Sequence, residues 1–289
     1  MKLQAIRDVL SFQAFSPDPD DSNASISRRL KGKRYVIINV SRAHVSWRSV
    51  DRKGNFDRSG RMNGEFLDVL GQMGPEWLAM TDGGWVVVSL NNRFVITQES
   101  NLSRKPDAEK IIRSNPKSII GAKFDRGRRY ALYHHPETSA SLLLACEDAM
   151  VGTFEDALVK QGLKPVRICC GLFAMLEDYL RRIHAAGQDG RKDFVLLACC
   201  DGSACVLACK NGQWSELRSR SALYSDGDLT PIANLVAPVL NGVSEGTGIV
   251  LLHDEKDSDS AKALLEQLGS SGAIDVTQPD HLWQVIGRN

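Results

Sequence analysis

The sequence predicts an α/β protein built from two similar halves, and three observations carry that reading. A strand, a short polar break, a second strand and a Gly turn occur twice, at Tyr35–Ser41, Ala43–Val50 and Lys53-Gly54, then at Phe194–Cys200, Ser203–Cys209 and Asn211-Gly212. Each is a buried apolar run followed by its antiparallel neighbour, the opening of a β-meander. Segments of helical and strand period alternate after each meander, which gives a mixed sheet with helices on its faces. The length, 289 residues, is enough for two units that each bury a core.

Charge and composition narrow the function classes. Lys and Arg total 36 against 35 Asp and Glu, a net charge of +1, so nothing general attracts nucleic acid. The longest apolar runs, Ser141–Cys146 and Phe194–Cys200, fall far short of the ~20 residues of a spanning helix, and a soluble protein is expected. Met1-Lys2 leads into an amphipathic stretch and not into a signal-peptide apolar region. The seven cysteines are odd in number and lie in strand-like runs, which suits reduced, buried thiols in a cytosolic protein.

Along the chain, Leu3, Ile6, Val9 and Leu10 fall near one helical face with Phe12 and Phe15 beside them, and a polar linker spans Ser16–Ser27. Such a helix either packs on the body or docks on a partner or membrane surface. The basic cluster Arg28–Arg34 is a solvated approach to the first strand. After the first meander, Gly64–Met73 reads as a short helix and Trp85–Leu90 as a buried strand. From Asn91 to Tyr133 the pattern loosens and turns basic, marking an inserted subdomain with a helix around Ala108–Ser114, ended by Pro116, and a strand at Tyr130–His134. The first half closes with a strand at Leu142–Cys146, a helix at Glu147–Lys160 stopped by Gly162, a strand at Val166–Cys169 and a helix at Leu172–Ala186. Gly187–Gly190 is the boundary candidate. The second half adds a third meander strand at Gln213–Ser219, a helix at Leu229–Leu240, a strand at Gly248–Leu252, a helix at Ser258–Leu268 and a strand near Ala273–Val276. The expected organisation is an N-terminal helix and linker over 1–30, a first lobe over 31–187 with its insert at about 91–146, and a smaller second lobe over 188–289. This duplicated arrangement is the ribonuclease-H-like, actin-like one.

Phe154–Ile168, with its helix, Gly162-Leu163-Lys164-Pro165 turn and strand, followed by Gly171-Leu172-Phe173-Ala174-Met175-Leu176, resembles the PilM-like branch of actin-like proteins of type IV pilus assembly, to which the cytoplasmic domains of type II secretion L proteins are related. The second meander, ending in Lys210–Gln213, and the final unit with Ala261–Gly269 are also similar, so the resemblance covers most of 34–276. It rests on fold-defining patterns more than on catalytic signatures. It implies a protein at the cytoplasmic face of the inner membrane that grips the cytoplasmic tail of a single-span partner, PilN or its counterpart, in a groove beside the inserted subdomain. Other platform proteins or the pilus ATPase are further partners it implies. Candidate tail contacts are Arg93, Arg104, Lys105, Arg126 and Arg128, whose alternative reading is a solvated basic face.

The same resemblance says where a nucleotide would sit, because actin-like ATPases place an acid and a Gly in each meander turn to hold metal-bound water and admit phosphate. Their Asp-x-Gly-x-Ser/Thr pattern falls here on Asn39, Ser41 and Ala43. Counting back from Asn211-Gly212 puts the second acid at Ala198 and its Gly at Cys200, although Asp201-Gly202 lies close enough for a small register shift to restore a phosphate pair with Ser203. The adenosine-side Gly-Gly turn is replaced by His253-Asp254-Glu255-Lys256-Asp257, and Arg220–Asp228 leaves no room for a covering subdomain. A pseudo-ATPase that carries no cofactor, no metal and no catalytic residue is therefore the expectation, with an active actin-like ATP binder or ATPase as the alternative. A two-metal nuclease needs carboxylates where Asn39 and Ala198 stand. Cys199, Cys200, Cys205 and Cys209 lack the turn-borne pair spacing of a zinc site. Cys169-Cys170 reads as a strand end, and Asp226-Gly227-Asp228 as a turn and helix cap.

Overall fold

Strand β1 (Tyr35–Val40) is buried along its whole length, as a central strand covered on both faces must be. It belongs to a computed structural model that describes residues 28–100, 111–112, 115–134, 141–185, 193–210, 213–220, 228–242, 247–254, 259, 262–263, 266 and 274–288. The expected N-terminal helix, the Ser16–Ser27 linker and the Gly187–Gly190 boundary lie outside these residues.

The first sheet has the order β3-β2-β1-β4-β8, with β2 (His44–Val50), β3 (Phe56–Asn63), β4 (Trp85–Leu90) and β8 (Lys164–Cys170). The three meander strands are antiparallel, whereas β4 and β8 run parallel to β1. The second sheet repeats this order as β11-β10-β9-β12-β13, from β9 (Phe194–Cys200), β10 (Ser203–Lys210), β11 (Gln213–Arg220), β12 (Gly248–His253) and β13 (Ile274–Asp275). Identical order and direction in both halves make the duplication a structural fact. The insert supplies a third sheet, β5-β7-β6, from β5 (Ile96–Ser100), β6 (Arg128–His134) and β7 (Ser141–Glu147).

Helix α1 (Phe66–Met80) runs seven residues beyond the expected end at Met73 and passes through Pro75. An internal proline costs about 3 kcal/mol, but the added turns bury Trp77 completely and Met80 nearly so, each worth about 2–3 kcal/mol or more. Tertiary burial outweighs the local breaker. Pro116 also opens the short helix α2 (Pro116–Ile120), since a proline at the first helical position forfeits no hydrogen bond. Of the helix expected before it, the described residues 111 and 112 are helical. Strand β5 lies in the stretch read as irregular.

Helix α3 (Asp148–Lys160) joins the insert to β8, and α4 (Gly171–Ala185) crosses from the first lobe to the second. On β9 the pleat divides the side chains cleanly. Leu196, Ala198 and Cys200 join the core that continues from the first sheet, while Val195, Leu197 and Cys199 pack with α5 (Thr230–Asn241) on the outer face. Leu172, Phe173, Met175 and Leu176 of α4 belong to the shared core, so the lobes are joined by one apolar interior.

Helix α6 (His281–Arg288) was not expected from the sequence. It lies on the β1 and β4 face with Leu282, Val285 and Ile286 buried. Gly287 permits this approach, because a Cβ there would stand 2.5 Å from Ile37 Cδ1, and the Tyr35 hydroxyl donates to the Gly287 carbonyl oxygen at 3.0 Å. No helix among the described residues is long and apolar enough to cross a membrane.

Candidate functional site

The parallel strands β1 and β4 end side by side, and the Asn91 N–H bonds to the Val40 carbonyl oxygen at 2.9 Å, so Ser41 and Asn91 leave the sheet together. Side chains at the carboxyl ends of parallel strands are where α/β sheets assemble sites. Across the junction β9 ends at Cys200, and the chain reverses on Asp201 and Gly202, at φ 52° and 74°. Asp is among the few residues that tolerate this left-handed backbone beside Gly.

The Asp201 side chain is 9% exposed and points at the first lobe. The Asn91 amide donates to the Asp201 carbonyl oxygen at 2.8 Å and approaches its carboxylate at 3.2 Å. The Asn91 side-chain oxygen accepts from the Arg93 N–H at 2.9 Å and from the Ser203 hydroxyl at 3.2 Å. Every donor and acceptor of this amide is used. His44 Nε2 lies 3.4 Å from the same carboxylate, and Arg61 Nη2 stands 3.2 Å from His44 Nδ1. A guanidinium can only donate, so Nδ1 accepts and the ring proton faces Asp201 on Nε2. Burial pushes the Asp201 carboxyl up, but the imidazole of His44 and the donors of Asn91 and Ser41 outweigh it and hold the group below its ordinary value.

Beside this bridge is a cavity of about 310 Å³. Asn39, Ser46, Arg48, Arg61, Asp254 and Asp280 are among the residues that line it. The Arg48 guanidinium pairs with Asp280 and lies 5.1 Å from the ring centres of both Phe56 and Trp283. A second tie between lobes joins Thr97 Oγ1 of β5 to Ser219 Oγ of β11 at 2.6 Å.

The residues singled out from the sequence separate into three groups. Ser41, Asp201 and Gly202 meet at the junction of the two turns. Asn39 lines the cavity, whereas His253 does not, its Nδ1 lying 2.7 Å from the Asp254 carbonyl oxygen and its Nε2 3.1 Å from Asp275. Ala198 is fully buried in the shared core, and the β9 turn falls on Asp201-Gly202, which corrects the register that put the turn Gly at Cys200. Among the basic residues, Arg93 and Arg126 are exposed, and Arg128 pairs with Asp125 at 3.2 Å. Strands β5 and β6 both start at the end of β7 that joins α3, so Arg93, Arg126 and Arg128 share one end of the inserted sheet. Arg104 and Lys105 lie outside the described residues. Arg129 instead binds the insert to α3, reaching Glu155 through two bonds of 2.8 and 2.9 Å.

Asn91, His44 and Arg61 were missed in the sequence. The signal for Asn91 was its place just past the buried run Trp85–Leu90, where a polar residue leaves the carboxyl end of a parallel strand. His44 opens β2, and its pairing with a turn 157 positions away has no local signature.

Two sheets of one strand order, a crossing helix and facing meander turns define an actin-like fold with an insert in its first lobe. No family model and no curated protein sequence matches the chain. Among solved structures, the chain is similar to the PilM–PilN type IV pilus biogenesis complex, with a TM-score of 0.57 at 14% identity over 87% of this chain and 89% of that one. It is similar to the cytoplasmic domain of EpsL, an inner membrane component of the type II secretion system of Vibrio cholerae, at a TM-score of 0.52 and 10% identity over 88% and 92%. A Bacteroides thetaiotaomicron protein of actin-like ATPase fold and unknown function gives 0.55 at 8% identity over 90% and 97%. At these identities the likeness is one of fold.

Proposed function

We propose that this chain is a non-catalytic scaffold of a type IV pilus or type II secretion-like assembly platform, held at the cytoplasmic side of an inner membrane by gripping the N-terminal tail of a single-span PilN-like protein. The observation that carries this reading is the bridge from Asp201 to Asn91, His44 and Ser41. Phosphate groups need an electropositive space lined by free donors between the two turns. Here a carboxylate fills that space and consumes the donors. The shared apolar core also opposes the lobe opening that a nucleotide cycle would use.

The tail is placed at the end of the inserted sheet, where exposed Arg93 adjoins half-buried Phe94 and half-exposed Ile96. Phe94, Phe154 and Phe66 form a continuous aromatic seam there, with centroid separations of 6.4 and 4.6 Å. An extended peptide could add main-chain bonds along an edge strand while arginines hold its acidic groups. Titrating the folded protein with a labelled N-terminal tail peptide of a single-span PilN-like protein from the same organism tests the reading. Saturable binding that weakens on Arg93→Glu supports it, and no binding to the folded protein refutes it.

The cavity beside Asn39 favours a second reading, in which Asp201, Gly202 and Ser203 still serve a nucleotide. That reading requires the bridge to open, and it predicts stabilisation by Mg-ATP.

A further inference from the structure

The amino ends of the parallel strands β1, β4 and β8 form one edge of the first lobe, at the opposite end of the sheet from Ser41 and Asn91. Lys33 and Arg34 precede β1, Arg52 and Lys53 follow its antiparallel neighbour β2 at the same end, Lys164 opens β8, and Lys160 closes α3 just before it. All are exposed except Lys33, which is half-buried. Two carboxylates are set among these cations, and both are already bound. Asp51 accepts from the N–H groups of Lys53 and Asn55 at 2.8 Å, and Asp82 lies between the Arg34 and Arg52 guanidiniums at 3.2 and 2.9 Å. The exposed acids Glu76 and Asp156 sit one turn back from the ends of α1 and α3. In a chain of net charge +1, this edge concentrates positive charge.

The same edge carries apolar groups. Trp85 is half-buried, with Lys33 Nζ 4.3 Å and Lys164 Nζ 5.5 Å from its ring centre. Leu78 near the end of α1 and Val159 near the end of α3 are 38% and 48% exposed. The Gly162 turn brings them together: a Cβ there would stand 3.4 Å from Leu78 Cδ2, and its N–H bonds to the Val159 carbonyl oxygen at 2.9 Å.

We propose that this edge rests on a bilayer rich in anionic phospholipid, the headgroup phosphates meeting the lysines and arginines while Leu78 and Val159 enter the boundary with the acyl chains. Each basic residue near an anionic leaflet strengthens attraction to it by roughly a factor of five, and apolar side chains beside the cations add to that attraction. A tryptophan flanked by lysines suits the headgroup level, where an amphipathic ring and snorkelling ammonium groups both find partners. Nucleic acid fits the edge less well, because bases stack on open aromatic faces and Lys33 stands over that of Trp85. An acidic polypeptide would match the charge but leave Leu78 and Val159 without a use. The contact is separate from the proposed tail site, which lies by Arg93 and Phe94 at the other end of α3, a helix of 13 residues and so roughly 20 Å long. Either contact can therefore fail without the other.

The test floats the full-length protein with vesicles of phosphatidylethanolamine and phosphatidylglycerol, and separately with vesicles of phosphatidylcholine. The proposal expects binding to the anionic vesicles alone, lost at high salt, and weakened about a hundredfold by Lys53→Glu, Lys160→Glu and Lys164→Glu together. The seven native cysteines are all buried, so Val159→Cys takes a polarity-sensitive dye at one place. Anionic vesicles should shift its emission to the blue and leave unchanged the same dye on Ile274→Cys in β13 of the second lobe, a position 43% exposed. No binding to anionic vesicles, binding that the triple variant keeps in full, or a shift at Ile274 with none at Val159 overturns the proposal. Binding to polyglutamate or RNA without binding to vesicles overturns it in favour of a soluble polyanion.

Discussion

The side-chain amide of Asn91 spans the two lobes to Asp201, donating to its main-chain carbonyl oxygen at 2.8 Å and approaching its carboxylate at 3.2 Å. One residue at a strand end thus closes the ground between turns that would otherwise face each other across open space.

Asn91→Ala removes both donors and leaves the Asp201 carboxylate buried with reduced compensation. Hydrogen bonds to buried charged groups contribute about 1.5–3 kcal/mol, so urea unfolding should show a loss of about 2–3 kcal/mol. Asn91→Asp should lose more, because it sets a second carboxylate against the first.

Asp201 also gives the bridge a pH dependence of known sign. Its carboxyl is depressed in the folded protein, so its contribution is present in full above the ordinary value of 3.8 and is lost as pH falls through the lowered folded value. Stability curves of the wild type and Asp201→Asn should therefore run parallel from neutral pH down to about 4 and converge below it. A difference that stays unchanged well below pH 4 would contradict this origin.

Burial pushes the thiols of Cys146, Cys170 and Cys209 up to about 12, and all seven cysteines are buried and outside any disulfide. The thiolate is the reactive form, so Ellman's reagent should find almost no thiol in native protein at pH 8 and seven after denaturation. A thiol that reacts quickly in native protein would mark an opening of the core.

Arg129 ties the inserted sheet to α3 through the paired bonds to Glu155, in a setting where both side chains are about one-fifth exposed, at 21% and 17%. Removing one partner of a buried pair costs about 3–5 kcal/mol and an exposed one under about 1. Arg129→Ala should fall between, at about 2 kcal/mol in denaturant unfolding. Proteolysis should attack the insert before the lobes if the tie is its anchor.

The sequence carried the duplication because β1, β4, β9 and β12 are apolar runs bounded by turns, and covered strands show that directly. The extent of α1 was not legible, since Pro75 signals a stop and only the burial of Trp77 overrides it. Helix α6 is short, and its apolar residues Leu282, Val285 and Ile286 gain their meaning from the β1 face they cover. At the site, Ser41, Asp201 and Gly202 could be found from the turns they occupy. Their partners Asn91 and His44 could not, because the bridge joins residues more than 100 positions apart.

The occupied junction is most directly tested by titrating the intact protein with Mg-ATP while following its melting temperature. The account predicts an unchanged melting curve at millimolar nucleotide. An upward shift that grows with the logarithm of nucleotide concentration above the dissociation constant, and that Asp201→Ala abolishes, would contradict it.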